Sequence, residues 1–354
     1  MSRRLREIVE GTARLGPETV HLDLTNGCNT NCITCWDHSP LLKVARGAAW
    51  KRQRVDAGEV EALLDDLVAL GGLKAIILSG MGEPFTHPDI YRLIAAVKAR
   101  GLHLTIITNL IPADAARVIE LGVDTLLIGI HAAGEAAYRA FHPSFRSDEW
   151  EVLHAMLERF RAAGRRDKHV QVICRANAEE VPEMVRLAHR YRAGALNYKL
   201  AGLREGTEAA RIREDQRAWL LAEGVPAATA LAAELGVETN LDVFAAQLGA
   251  GGGDTAPIAD VGCVMGHVYA RVLVDGTVLY CCNTEVVVGS LSQARFSELW
   301  RGARWNEWRA RLRAGQYLPS CGQCGKLNQN VKIGRKLAAA YGEETLRRVT
   351  GRGA

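Results

Sequence analysis

The chain has 354 residues, with 44 lysines and arginines, 40 aspartates and glutamates, 48% hydrophobic residues and a formal net charge of +4. This composition excludes a disordered chain, which combines low hydrophobicity with high net charge, and the small charge gives no reason to expect a nucleic-acid partner. The N-terminus lacks the apolar segment of a signal peptide and no apolar run could span a bilayer, so we expect a cytoplasmic protein with no membrane partner.

Short apolar or β-branched runs alternate with longer amphipathic runs from residue 19 to about residue 200. The short runs predict six strands, at residues 20–24, 75–78, 104–107, 125–130, 170–174 and 196–200. The longer runs predict five helices, at residues 57–70, 89–98, 113–121, 148–162 and 180–191. These β-α repeats predict an α/β fold with a parallel sheet, either doubly wound or closed into a barrel. In both folds the chemistry collects where the strands end.

The rest of the chain has a different pattern. A helix is predicted at residues 215–235, and the glycine-rich segment that follows it has the composition of a linker. Asp275-Gly276 then predicts a tight hairpin turn between strands at residues 268–274 and 277–280.

Two further helices are predicted after the hairpin. One covers residues 297–313, where three tryptophans form a packing face, and the other covers residues 337–349. The predicted domains are a 1–18 extension, a 19–247 α/β domain, a 248–258 linker, a 259–330 second domain, and a 331–354 helix and tail.

The nine cysteines fall into two groups and one isolated residue. Cys28, Cys32 and Cys35 directly follow the first strand, and Cys174 stands alone in an apolar strand, where it is most simply a core residue. The others are Cys263, Cys281, Cys282, Cys321 and Cys324. A disulfide framework suits a short secreted chain, so clustered thiols in this chain indicate metal instead.

The first group has two chemical interpretations. Three thiolates can hold three irons of a cubane cluster and leave the fourth iron open. Alternatively, the three thiolates and His38 can hold zinc. A structural zinc would have no need of a position at the C-terminal end of a strand, where catalysis occurs in these folds.

This Cys-x₃-Cys-x₂-Cys motif after a first strand resembles the signature of the radical S-adenosylmethionine (SAM) enzymes. The second strand ends in Gly82-Glu83-Pro84, which resembles the Gly-Glu-Pro element of that family, and the third ends in Thr108-Asn109, similar to its ribose-side polar pair. One departure is Thr34, where many members have an aromatic residue; Trp36 is the nearest substitute.

The resemblance implies a partial (β/α)6 TIM-like barrel over about residues 19–200 and SAM as cofactor. SAM would be cleaved to a 5′-deoxyadenosyl radical that abstracts hydrogen from an unactivated C–H bond. The Gly82-Glu83-Pro84 segment would accept hydrogen bonds from the SAM ammonium. Arg175, at the end of the fifth strand, is either a partner of the SAM carboxylate or an ordinary exposed arginine.

Four of the later cysteines form a second ligand set. Cys263 precedes the hairpin, Cys281 completes a Gly-x₄-Cys after its turn, and Cys321-x₂-Cys324 follows one helix later. Four such thiolates suit zinc or a fully ligated [4Fe–4S] cluster. Behind a radical SAM barrel, the pattern resembles the twitch form of the SPASM extension. This implies one auxiliary cluster, and thus two [4Fe–4S] clusters in all.

Three residues are candidates for catalysis. His131 ends the fourth strand and either faces the substrate or is a solvated loop residue, and Glu285 is a candidate base near the auxiliary cluster. Cys282 should point away from Cys281, because neighbouring side chains on a strand alternate. It is then either a buried thiol or a hydrogen donor to the substrate.

Three functions from different classes follow. The first is oxidation of a sugar or aminocyclitol alcohol to a ketone, as in aminoglycoside antibiotic biosynthesis, with epimerisation as its sister outcome. The second is maturation of a ribosomal peptide, against which we weigh the absence of room for a peptide-recognition domain in residues 1–18. The third is a zinc-stabilised binding module. The hypothesis we favour is the first, with a small polar substrate and an external one-electron donor such as flavodoxin or ferredoxin.

Overall fold

The computed structural model describes residues 2–250 and 257–352. The strands are β1 (Thr19–Asp23), β2 (Ala75–Ser79), β3 (His103–Thr108), β4 (Thr125–Gly129), β5 (Lys168–Ile173), β6 (Ala195–Leu200), β7 (Tyr269–Val272), β8 (Thr277–Leu279) and β9 (Val287–Ser290). They form one open sheet in the order β6-β5-β4-β3-β2-β1-β7-β8-β9. β1 to β6 pair in parallel, which confirms the predicted α/β fold as a partial, unclosed barrel.

Helices follow the strands as the periodicity predicts. Those of the described residues are α1 (Arg3–Glu10), α2 (Ala48–Lys51), α3 (Ala57–Ala69), α4 (Ile90–Ala99), α5 (Ala115–Glu120), α6 (Glu135–Phe141), α7 (Glu149–Ala162), α8 (Val181–Arg190), α9 (Glu214–Trp219), α10 (Val225–Leu235), α11 (Leu241–Gly249), α12 (Ile258–Val261), α13 (Phe296–Arg301), α14 (Ala303–Arg313), α15 (Leu327–Tyr341) and α16 (Glu343–Thr350). None of these helices combines the length and apolar character that a membrane crossing requires.

Three predicted helices are interrupted in the structure. The helix at 215–235 contains a π-helical turn, Leu220–Gly224, between α9 and α10. The helix at 297–313 is wrong as a single element, because Gly302 is extended and separates α13 from α14. Gly342, with φ 85°, likewise separates α15 from α16. The predicted linker falls mainly on residues 251–256, which lie outside the described residues.

The C-terminal hairpin extends the sheet of the barrel. β7 pairs in parallel with β1, and the chain then reverses at Gly276, with φ 78°, into the antiparallel β8. The helices after the hairpin join the main hydrophobic core, where Trp300, Trp305 and Trp308 are buried as predicted. Packing therefore holds the second cysteine group against β1.

Candidate functional site

The loop after β1 carries the first cysteine set as free, partly buried thiols. Backbone N–H groups of Asp37 and His38 donate to the Cys35 sulfur at 3.5 and 3.3 Å. Burial raises the pKa of Cys28 to about 12 and also raises the pKa of Cys32 and Cys35. Buried thiols become thiolates when metal ions replace their protons, and hydrogen bonds to the sulfurs tune cluster potentials. The set therefore fits a cluster with one open iron.

The segment after β2 lies directly against this loop. A Cβ atom at Gly82 would lie 2.0 Å from the carbonyl oxygen of Gly27, so a side chain at this position would collide with backbone. A hydrogen bond stabilises this contact, because the N–H of the next residue, Glu83, donates to the same oxygen at 2.8 Å. This close approach explains the glycine and brings the two motifs together.

Glu83 is 3% exposed, and its side chain is hydrogen-bonded to other residues of the protein. Its carboxylate accepts hydrogen bonds from Thr108 Oγ1 at 2.7 Å, from the Asn109 N–H at 2.8 Å and from the Phe85 N–H at 3.1 Å. Burial nevertheless raises the pKa of Glu83 to about 7. These bonds join the ends of β2 and β3, and the contact of this carboxylate with the SAM ammonium remains a prediction.

The Thr108-Asn109 pair also contacts the cysteine loop. Asn109 Nδ2 donates to Asn29 Oδ1 at 2.8 Å, which ties the end of β3 to the residue after Cys28. Sequence reasoning missed Asn29, although a polar residue between two motif cysteines is a usable signal. The ends of three strands are thus locked into one hydrogen-bonded unit.

The second cysteine set surrounds the end of the hairpin. Cys263, Cys281, Cys321 and Cys324 line the same cavity as Cys35. The Asn283 N–H donates to the Cys281 sulfur at 3.4 Å, and burial raises the pKa of Cys263 to about 12. Within the described ranges, no three Cys, His, Asp or Glu side chains are grouped as ligands of a single metal ion. Buried thiols with backbone donors again fit cluster ligation.

The predicted orientation of Cys282 is wrong. β8 ends at Leu279, so the alternation of an extended strand does not apply to Cys281 and Cys282, and both thiols line the cavity. A hydrogen bond between them raises the pKa of Cys281 and lowers the pKa of Cys282. Five thiols, not four, therefore stand at this end of the cavity.

Cys35 of the first set and all five cysteines of the second group line one cavity of about 1100 Å³. The first set follows the C-terminal end of β1, whereas β8 runs antiparallel to β7 and delivers Cys281 toward the N-terminal ends of the parallel strands. Lys199 of the edge strand β6 and Arg271 of β7 both line the cavity. A substrate in this cavity would lie between the two sets.

A buried polar network crosses from β1 to β7 beside the cavity. Arg271 forms a bidentate ion pair with Asp23, with N–O distances of 3.0 and 2.7 Å. His21 Nδ1 hydrogen-bonds the Tyr269 hydroxyl at 3.0 Å. The parallel register of β1 and β7 places these four side chains in adjacent positions.

Two lysines complete the cationic lining. Lys326 Nζ lies 4.0 Å from the centroid of the Tyr269 ring, a cation–π contact. Burial lowers the pKa of Lys326, the negative charge of Cys282 raises it, and repulsion from Lys199 and Arg271 lowers it further, so these four groups are neighbours. The Lys199 side chain reaches solvent within the cavity, although partial desolvation lowers its pKa. Sequence reasoning missed both, although Lys199 ends a strand and Lys326 follows Cys324 by two residues.

His131 and Arg175 both lie at points where hydrogen bonds connect the backbone of neighbouring segments. The His131 Nδ1 accepts a hydrogen bond from the Val172 N–H at 3.0 Å, and burial lowers its pKa to about 3, so the ring is neutral. Because the ring is buried and bonded to the backbone, His131 is not a solvated loop residue. The Arg175 side chain is exposed, while its backbone N–H donates to Ala210. Substrate and SAM contacts of these two residues remain predictions.

Glu285 and Trp36 both line the cavity. Ser320 donates to Glu285 at 2.6 Å, which links the hairpin to the Cys321 segment, and the role of Glu285 as a base remains a prediction. Trp36 donates from Nε1 to the Gly202 carbonyl at 2.6 Å and thus closes the cysteine loop onto the segment after β6.

Comparison with protein families decides the class of the site. Residues 22–188 match the Radical SAM superfamily model, and residues 263–325 match the SPASM iron–sulfur cluster-binding domain. The chain contains a radical SAM domain followed by a SPASM domain. A radical SAM domain binds SAM and a [4Fe–4S] cluster, and a SPASM domain binds auxiliary iron–sulfur, so iron–sulfur rather than zinc is the supported chemistry of the two cysteine sets.

Two curated relatives match about half of the chain. An AdoMet-dependent heme synthase of Methanosarcina barkeri is 28% identical over 192 residues, 51% of this chain and 49% of that protein. A PqqA peptide cyclase of Xanthomonas campestris pv. campestris is 29% identical over 175 residues, 49% of this chain and 44% of that protein. The chain thus spans about half the length of these relatives.

A solved structure covers nearly the whole chain. Streptococcus suis SuiB bound to precursor peptide SuiA aligns with a TM-score of 0.63 and 14% identity, covering 94% of this chain and 74% of that one. At this identity the likeness concerns the fold. It supports the partial barrel with its C-terminal cluster-binding extension.

Proposed function

We propose that this radical SAM enzyme modifies a peptide, abstracting hydrogen from a residue held between the two cysteine sets. The observation that carries the proposal is the similarity to a PqqA peptide cyclase, 29% identical over 175 residues. The cavity of about 1100 Å³ is the space that SAM, the auxiliary cluster and the substrate would share.

The cysteines divide between two clusters. Cys28, Cys32 and Cys35 would hold the SAM-binding cluster, and Cys263, Cys281, Cys321 and Cys324 would hold the auxiliary cluster. With SAM bound, the first cluster would supply the reductive chemistry that generates a hydrogen-abstracting radical. An external one-electron donor supplies the electron.

The chain itself positions the reactants and restricts water. The Glu83 carboxylate holds the ends of β2 and β3 against the cysteine loop through its bonds to Thr108 and Asn109. Apolar side chains such as Val172, Leu200 and Met265 line the cavity and limit water around the reacting carbon. Placement and exclusion of solvent are the protein's share of this chemistry.

The sequence favoured oxidation of a sugar or aminocyclitol, with peptide maturation as an alternative. The two curated relatives reported above include a peptide cyclase and no aminocyclitol enzyme. We therefore place peptide modification first and treat alcohol oxidation and epimerisation as outcomes of the test.

The test is an anaerobic incubation of the reconstituted enzyme with SAM and dithionite. One arm contains a pool of synthetic peptides, the other a pool of aminocyclitols, and mass spectrometry follows both substrates and 5′-deoxyadenosine. We expect a mass change in peptides only, and none with a Cys28→Ala, Cys32→Ala, Cys35→Ala variant. Loss of two mass units from an aminocyclitol, with unchanged peptides, would overturn the proposal.

A further inference from the structure

The cavity wall between the two cysteine sets carries cations that lack a carboxylate partner. Lys199 and Lys326 both line it. Across residues 2–250 and 257–352, neither ammonium group takes part in an ion pair with Asp or Glu, whereas Arg271 beside them is paired with Asp23. The charge of the Cys282 thiolate also acts on both lysines. With that thiolate included, the local balance of these five side chains is one positive charge, which an anionic group of the substrate would offset.

These cations are held in place. Lys326 rests on the Tyr269 ring at 4.0 Å, and His21 fixes the Tyr269 hydroxyl at 3.0 Å. Arg271 is clamped by Asp23 with two hydrogen bonds. Lys326 and Lys199 come from distant parts of the chain, since Lys326 follows the last cysteine by two residues and Lys199 is the next-to-last residue of β6. Supporting contacts of this kind pre-organise a binding site.

Two anions of the loaded enzyme could compete for this position. Cysteine ligands give the auxiliary cluster negative charge, and SAM carries a methionyl carboxylate. Lys199, however, belongs to the wall of β6 and not to the hairpin that carries Cys281, and its side chain reaches solvent in the open cavity. A lysine that served only to balance the charge of the cluster would not need to face the open cavity.

We propose that Lys199 and Lys326 bind a carboxylate of the substrate and thereby place the neighbouring C–H bond between the two clusters. This inference rests on the proposed function in one respect, since it assigns the carboxylate to a peptide. The shared chemistry is carboxylate recognition, and the source is either an acidic side chain or a C-terminus.

The experiment uses the holoenzyme with both clusters and saturating SAM, without reductant. Three tripeptides are the probes: acetyl-Ala-Glu-Ala-amide, acetyl-Ala-Gln-Ala free acid and acetyl-Ala-Gln-Ala-amide. Calorimetry compares wild type with Lys199→Met, Lys326→Met and their Arg counterparts. Lys168→Met is the matched control, because Lys168 is exposed at the start of β5, away from the cavity.

We expect wild type to bind a carboxylate probe at least about tenfold more tightly than the amide probe, as a charge-assisted hydrogen bond implies. Preference for the Glu probe identifies a side-chain source, and preference for the free acid identifies a C-terminus. Each Met variant should lose the preference, while the Arg variants and Lys168→Met keep it.

Equal or undetectable binding of all three probes by wild type would overturn the inference. So would Met variants that keep the preference but lose auxiliary-cluster iron, or that lose SAM affinity instead. The test needs no turnover. Selective carboxylate binding without any peptide product would therefore leave the inference standing and remove only the proposed function.

Discussion

Replacing Glu83 by alanine separates two roles of the Gly82-Glu83-Pro84 segment. In the structure its carboxylate accepts bonds from Thr108 and from the N–H groups of Asn109 and Phe85. The threonine hydroxyl can rotate to another acceptor, but the two N–H groups cannot. Leaving each unpaired costs about 1–3 kcal/mol, so Glu83→Ala should lower the free energy of unfolding by about 2–6 kcal/mol.

The loss of unfolding free energy in Glu83→Ala should become smaller as the pH rises. Burial raises the pKa of Glu83 from 4.5 to about 7, so between these values the folded state binds a proton that the unfolded state has lost. The contribution of Glu83 to stability is therefore complete below pH 4.5 and falls as the pH rises to about 7. Between pH 6 and 8 the change is about 1 kcal/mol. The alanine variant should be most destabilised, relative to wild type, at pH 6.

The assay is anaerobic urea unfolding of the reconstituted enzyme at pH 6, 7 and 8, followed by circular dichroism, with SAM affinity from equilibrium dialysis. Glu120→Ala is the control, since Glu120 is exposed near the end of α5. Wild-type stability in Glu83→Ala, combined with a tenfold loss of SAM affinity, would refute this reasoning. The carboxylate would then bind the SAM ammonium directly.

Four other predictions follow from the site. Changing all three cysteines of the first set to alanine should halve iron from about eight per chain and abolish 5′-deoxyadenosine, as measured by iron analysis and chromatography. Gly82→Ala should lower the unfolding temperature and the iron content, whereas Gly47→Ala, with open space around its Cβ, should change neither. Cys281→Ala should keep part of the auxiliary iron, because Cys282 stands beside it, and only the double variant should lose all of it; equal loss in both would contradict this. His131→Phe should cost about 1–3 kcal/mol in urea unfolding, since the Val172 N–H loses its acceptor.

The parallel sheet was predictable because its strands are short, apolar and separated by regular helical periods. Asp56 and Asp114 illustrate the local signals, since each caps a helix through its side chain. The break at Gly302 was not predictable, because a glycine inside an amphipathic pattern is compatible with a continuous helix. The place where β7 joins the sheet depends on a pairing across about 250 residues, which no local pattern specifies.

For the site, the spacing of the cysteines was sufficient to recognise both cluster-binding segments. The predicted orientation of the Cys282 side chain was wrong because it depended on where β8 ends. A strand that stops at Leu279 leaves both thiols on a bend, and a difference of two residues at a strand end lies within the ordinary variation of such boundaries. Motif spacing thus predicts which residues meet, whereas side-chain direction requires the backbone.

The sequence contains a sign of the polar interior of the barrel, namely polar residues that alternate with apolar ones in β1 and β7. In β1, Val20 and Leu22 are buried in the core, while His21 and Asp23 alternate with them and belong to the polar network. Tyr269 and Arg271 repeat the same spacing of two on β7. A strand buried on both faces has no physical reason to carry ionisable side chains at every second position, unless one face borders a space that holds polar ligands. The alternation therefore marks a polar face of the sheet, and Arg271 brings that face to the cavity beside Lys199 and Lys326.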